Sequence, residues 1–250
     1  MISETMKKQR EHRTIREFTE APVAPALLRE LLETINRTAT SVGMQNFSII
    51  RVTEEELRSA ISEVCKQEYV TRVPELFIFI VDAYRNARLI EESGEFPDSR
   101  RDMDRFFQGF TDAVLAAQNL TVAVESLGMG AVYFGSILND PAKIVELLGL
   151  PELTFPVLGV GFGVPNQDPQ HKPRIPIEDK VFENAYEIYD SYTDRLADYN
   201  QEMKTYYDLR DANRKSQTYL EAIRRIYYRD EPHRANILRV VEQQGFLLYR

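Results

Sequence analysis

Apolar positions recur along this chain in two rhythms, one of helices and one of strands. Behind Pro22, residues Ala26 to Arg37 carry a helical spacing, and Phe47 to Val52 alternates as a half-buried strand. Thr53 then reads as the opening of a helix from Glu54 to Cys65. Leu76 to Val81 is a continuous apolar run, predicted as a fully buried strand. The longest pattern runs from Phe106 to Leu127. It has the length of a membrane span but contains Gln108, Asp112, Gln118, Asn119 and Glu125, which are too costly in lipid. Its alanines at 113, 116, 117 and 123 allow close approach on more than one side, so it is predicted as the central helix of the core. A short strand Ala131 to Phe134 follows. It leads through Gly135 and Ser136 to a helix that starts near Pro141 and stops at Gly149. Phe155 to Val164 is a second buried strand, and the stretch Pro165 to Pro176 is a proline-rich loop. From about Phe182 to Val241 the pattern is polar, tyrosine-rich and helical, and Phe246 to Tyr249 reads as extended again. This mixture gives one α+β domain over 1–250, of which 178–250 is a mainly helical excursion ending in a strand. A terminal apolar strand with no neighbour in sequence is expected to add to a partner subunit's sheet, hence a homodimer.

Composition narrows the class of function. Hydrophobic residues make up 43% and charged residues 28%, as in ordinary globular proteins. Thirty-one basic against thirty-nine acidic residues leave a net charge of −8, which opposes binding to nucleic acid. The first twelve residues have no apolar core of a signal peptide, and a single cysteine, Cys65, permits no internal disulfide. Both suit a cytoplasmic protein with no membrane association. The three histidines His12, His171 and His233 have no metal-ligand spacing, so no metal is expected. Cys65, in a helical pattern, reads as a buried thiol rather than a nucleophile. Gly159 to Gly163 imitates part of a dinucleotide fingerprint, but Pro165 follows and no helix opens there. It reads instead as a strand approached closely by its neighbours.

What chemistry remains is cationic. His12, Arg13, Thr14 and Arg16 lie within five residues, a set able to grip a phosphate, although a solvated basic patch would look the same. His171-Lys172-Pro173-Arg174 places two cations around a stiff proline. Two basic motifs on an acidic chain suggest a local anion site. Thr38, Thr40, Ser41 and Gln67 could bond a heteroaromatic edge, and the turn Tyr133-Phe134-Gly135-Ser136 offers N–H groups beside an apolar face.

His12-Arg13-Thr14-Ile15-Arg16 resembles the H-R-S-I-R signature of the FMN-dependent nitroreductase family, in its NADPH-preferring branch of oxygen-insensitive nitroreductases and FMN reductases. The likeness continues through Thr38 to Gln45, Ser48 to Val52, Ala117 to Leu120, Ala123 to Gly128, Val132 to Gly135 and Lys172 to Arg174. The resemblance implies a mainly antiparallel central sheet flanked by helices, and FMN as cofactor. It assigns His12, Arg13, Thr14, Lys172 and Arg174 to the FMN phosphate, and Arg16 and Gln67 to the pyrimidine end of the isoalloxazine. Thr38, Thr40 and Ser41 would line its dimethylbenzene and ribityl side, partly across a dimer interface. Tyr133, Phe134, Gly135 and Ser136 would pack over the ring. Arg210, Arg214, Lys215 and Arg225 would meet the 2′-phosphate of NADPH, with NADH the other possible donor. The chain departs from the family in the run Ala39-Thr40-Ser41-Val42, where a serine run is commoner, and at Ser136, where a second glycine is. The implied activity is ping-pong reduction of nitroaromatics, quinones or free flavin, with Arg16 stabilising the reduced flavin electrostatically and no side chain assigned as acid or base. The alternatives are a non-catalytic flavin- or anion-binding regulatory module, or a relative with different flavin chemistry.

Overall fold

A computed structural model describes residues 2–206 and 217–249. Its centre is a four-stranded antiparallel sheet built from β1 (Phe47–Arg51), β2 (Glu75–Asp82), β3 (Gly130–Phe134) and β4 (Thr154–Gly163), in the spatial order β1-β2-β4-β3. β2 and β4 are central and nearly wholly buried. Successive side chains of β2 point to opposite faces. Phe77, Phe79 and Val81 therefore enter one core, while Leu76, Ile78 and Ile80 enter another. Pro156, inside a central strand, sits where the register shifts between Phe79 and Ile80, a place where the missing N–H does least harm.

The helices cover both faces. They are α1 (Glu4–Arg10), α2 (Pro25–Ile35), α3 (Glu55–Cys65), α4 (Tyr84–Glu92), α5 (Met103–Ser126) and α6 (Pro141–Leu147). The central helix predicted from the sequence is α5, which packs through Ala113, Ala116, Ala117 and Leu120 into the first core. Close contact with the sheet requires small residues there. α3 lines the second core with Ile61 and Cys65, and Phe134 belongs to that core as well. α3 differs from expectation at its start: Glu54 is its first flanking residue and no side chain caps it, so Thr53 does not open the helix. α4 is not predicted from the sequence; it is short and buries only Ala87.

The chain divides into two compact units, Met1–Gln167 with Glu231–Arg250, and Asp168–Asp230. The second begins ten residues before the expected helical excursion and ends before the chain terminus. It holds α7 (Tyr192–Arg195), α8 (Ala197–Thr205) and α9 (Tyr219–Tyr227). Thr218 and Glu221 form a reciprocal capping box at the start of α9, and Tyr199 meets Tyr219 edge to face at 5.0 Å. The first unit regains α10 (Pro232–Ala235) and α11 (Ile237–Gln243).

Among the described residues, the end of the chain forms no strand of its own. Leu247 makes a single bridge to Asp102, and Phe246 is fully buried against Phe106, ring centroids 5.3 Å apart. Phe246 is thus seated in its own chain's core, whereas Tyr249 is 92% exposed. Among the described residues no helix is long and apolar enough to cross a membrane, and no cluster of three or more His, Cys, Asp or Glu could hold a metal.

Candidate functional site

The segment after α1 runs beside β3, at the sheet's edge. Thr14 bridges Ala131 in parallel, the Ile15 amide donates to the Ala131 carbonyl at 3.0 Å, and Phe18 bridges Pro165 just beyond β4. Gly130 makes this approach possible, since a Cβ there would lie 2.4 Å from Cγ1 of Ile15. The side-chain Oε1 of Gln167 accepts the amides of Arg16 at 2.5 Å and Glu17 at 3.1 Å. Gln167 is a positioning residue that sequence reasoning missed within the proline-rich loop.

This frame decides what the cations can do. His12 Nδ1 lies 2.5 Å from Oε1 of Glu125, near the end of α5. A carboxylate partner fixes Nδ1 as the donor and leaves Nε2 for a ligand. Arg16 is only partly exposed, and its Nε is buried with no hydrogen-bond partner among the described residues. A buried donor left unpaired costs about 1–3 kcal/mol, so this one marks a place where an acceptor belongs.

Gln67 and Ser136, from different parts of the chain, meet directly: Ser136 Oγ donates to Gln67 Oε1 at 2.7 Å. Beneath them lies Cys65, its thiol pushed up to about 11 by burial, opposed by a hydrogen bond with Ser136. It is a core thiol, as its helical pattern indicated. Along β3 the side chains part. Tyr133 turns toward α5, where its hydroxyl pairs with Thr121 Oγ1 at 2.6 Å and donates to Gln118 Oε1 at 3.1 Å. Burial is the main cause that raises its pKa. Phe134 corrects the expectation that its side chain packs over a bound ring. That ring is fully buried on the opposite face, in a trench left by Gly159 and Gly161, where a Cβ on Gly161 would lie 2.8 Å from it. The turn can therefore offer a ligand backbone groups at Phe134, and both backbone and hydroxyl at Ser136.

Thr38, Thr40 and Ser41 follow α2. The Thr38 hydroxyl donates to the Ile35 carbonyl and accepts from Asn119 Nδ2, and the Ser41 amide donates to Asp112 Oδ1 at 2.8 Å. Thr40, between them, is extended.

Lys172 and Arg174 belong to the second unit, where the Arg174 guanidinium donates to the carbonyls of Lys172 and Pro173. Arg225 is exposed in the last turn of α9, where the helix dipole favours a cation. Arg210, Arg214 and Lys215 lie outside the described residues.

Comparison with known proteins places the chain in a family. Residues 10–164 match the nitroreductase family, and residues 172–249 match the nitroreductase family C-terminal domain. The oxygen-insensitive NADPH nitroreductase of Salmonella typhimurium is 33% identical over 237 residues, 94% of this chain and 95% of that protein. An NADPH-dependent oxidoreductase of Staphylococcus saprophyticus is 31% identical over 240 residues, with 94% and 95% covered. Among solved structures, nitroreductase A from Vibrio parahaemolyticus superposes with a TM-score of 0.87 at 30% identity over the whole of both chains. The NADPH:FMN oxidoreductase from Vibrio harveyi, complexed with NAD+, gives 0.86 at 29% identity over 99% of this chain and all of that one. The match spans the segment beside β3, the sheet and the helical return alike, and the chain belongs to the nitroreductase family.

Proposed function

We propose that this protein is an FMN-dependent NAD(P)H oxidoreductase, a nitroreductase or flavin reductase that works as a homodimer. The observation that carries the reading is the buried Nε of Arg16, unpartnered among the described residues, on a segment locked to the sheet edge. The donor set around it fits FMN. His12, Arg13 and Thr14 supply an imidazole N–H, a guanidinium and a hydroxyl of the kind that phosphate recognition uses. Arg16 lies two residues further along, a delocalised cation suited to a pyrimidine carbonyl. Lys172 and Arg174 are assigned to the phosphate by the family resemblance.

FMN, when bound, supplies two-electron transfer between a nicotinamide donor and an oxidant. The chain's own groups orient and polarise. Glu125 keeps Nε2 of His12 turned to its ligand, and Gln167 fixes the backbone of Arg16. The Arg16 guanidinium stabilises negative charge that develops at the pyrimidine end on reduction. Ser136 and Gln67, bonded to each other, present a polar edge, while Thr40 and Ser41 line the ribityl side. NADPH is the preferred donor in this reading, through Arg210, Arg214, Lys215 and Arg225. Oxidants are nitroaromatics, quinones or free flavin, which would use the same face in alternation with the donor.

An exposed apolar stripe supports the dimer. Phe107, Val114 and Leu115 lie along one side of α5, and Val42 and Met44 are exposed on the loop beside it. A free Cys65 supports a reducing compartment, the cytoplasm. The deciding experiment is the visible spectrum of the purified protein with an anaerobic NADPH titration. Bound FMN that bleaches with NADPH is expected; a colourless protein that refuses added FMN would overturn the reading.

A further inference from the structure

One carboxylate pins both ends of the loop that carries Ser41. Asp112 of α5 is fully buried. Its Oδ1 accepts the Ser41 amide at 2.8 Å and its Oδ2 accepts the Asn46 amide at 3.0 Å. A buried carboxylate is costly unless hydrogen-bonded, so neither contact is incidental. One turn earlier, Gly109 faces the same loop, and a Cβ there would lie 2.5 Å from the Asn46 carbonyl oxygen. That carbonyl in turn accepts from the Asp82 amide at 2.9 Å, tying the loop to the end of β2. Two turns later Asn119 Nδ2 donates to Thr38 Oγ1 and to the Thr34 carbonyl, each at 3.0 Å. Positions 109, 112 and 119 thus form one face of α5, and that face grips the loop from 38 to 46.

Between the two bonds to Asp112 the backbone is strained. Val42, Gly43 and Gln45 have φ of 45°, 73° and 52°. For a β-branched residue such as Val42 that is a true outlier, and it persists only where the surroundings over-determine it. The catalytic reading so far leaves this buried acid without a part to play.

We infer that Asp112, assisted by Asn119, is a positioning residue of the flavin site. It holds Thr40 and Ser41 in the shape that receives the ribityl and dimethylbenzene side of FMN, and acts on the cofactor only through the loop. This inference rests on the assignment of Thr38, Thr40 and Ser41 to that wall.

The test exploits the chemistry of the amide. Asp112→Asn keeps the volume but offers one acceptor and one donor, so either the Ser41 or the Asn46 amide must face an N–H group. Amide hydrogen exchange on the FMN-free protein and FMN titration by fluorescence quenching are measured for wild type, Asp112→Asn, Asn119→Ala and a control, Val124→Ala. Val124 is buried in the same helix, in the core facing the sheet. Faster exchange at Ser41 or Asn46 and a rise of at least tenfold in the FMN dissociation constant are expected for Asp112→Asn. Asn119→Ala should raise it at least threefold, and Val124→Ala less than twofold at comparable loss of thermal stability. The proposal is overturned if folded Asp112→Asn stays within twofold of wild type, or if Val124→Ala loses as much affinity as it does. Should Asp112→Asn fail to fold, unchanged FMN affinity in Asn119→Ala overturns it equally. A wild-type protein that binds no FMN would sink the flavin reading itself, while exchange at Ser41 and Asn46 would still report whether Asp112 holds the loop.

Discussion

Arg16 is held by its backbone and left open at its side chain. Its amide is taken by Gln167, while its Nε is buried without an acceptor among the described residues. A hydrogen bond to a charged group contributes about 1.5–3 kcal/mol, and for a two-electron couple 1.4 kcal/mol corresponds to about 30 mV. Arg16→Ala should therefore lower the potential of bound flavin by about 30–60 mV and slow reduction by NADPH, as spectroelectrochemistry and stopped-flow absorbance would read. An unchanged potential would remove Arg16 from its electrostatic role. Cys65 illustrates the opposite case, a residue whose surroundings silence it. Burial raises its thiol from the ordinary 9 to about 11. The folded state then keeps a proton that the unfolded state gives up. The sign follows: stability is unaffected below pH 9 and falls between pH 9 and about 11, by about 2–3 kcal/mol in all. Urea midpoints at pH 8, 9, 10 and 11 should decline for the wild type more steeply than for Cys65→Ala. Parallel declines would mean that the thiol ionises freely in the folded protein.

At the scale of elements, β3 and α5 do the positioning, and each does it through a residue that breaks its pattern. Gly130 lets Ile15 lie against β3, with room for no Cβ. Gly130→Ala overpacks that contact and should cost about 1–3 kcal/mol. FMN affinity should fall as well, because Ile15 stands between Thr14 and Arg16; calorimetry of FMN binding on the folded variant checks this, and full affinity would show that β3 does not set the segment. Regular spans were legible because burial is periodic. β1, β2, β3 and β4 lie within one residue of the predicted runs at either end, and α5 extends only a few residues beyond its predicted start. The gripping residues were visible too, though their use was not. Asp112, Asn119 and Glu125 were the very groups that argued against a membrane span, yet each bonds a candidate site segment. Polar residues on the buried side of an apolar helix must find partners, and that need was the available signal. Which loop supplies the partner depends on contacts 66 to 113 residues away in sequence, which no local pattern encodes. Phe134 was misread for a related reason: the alternation along β3 leaves open which face meets the glycine trench of β4.

For the whole molecule, one row of uncovered apolar residues lies on the helix that organises the core, α5. Phe107, Val114 and Leu115 are 61%, 40% and 45% exposed, with Val42 at 76% and Met44 at 46% on the neighbouring loop. Isolated exposed apolar residues are ordinary, but a row of them on the helix that also organises the core is a surface to be covered. A two-fold axis beside α5 would cover it with its own copy, since an isologous interface presents the same patch twice. The loop that Asp112 grips would then lie in the seam, so that its shape is set by α5 of its own chain from one side and by the partner from the other. This joins assembly to cofactor binding. The wild type should sediment at twice the chain mass, and Leu115→Glu, which buries two carboxylates without partners in each dimer, should shift it to monomer at micromolar concentration. FMN affinity should fall in step with dissociation and recover as protein concentration rises, because in that arrangement the second chain would complete the wall. A Leu115→Glu protein that stays dimeric would move the seam away from α5. One that is monomeric yet binds FMN as tightly as wild type would show that each chain builds its site alone.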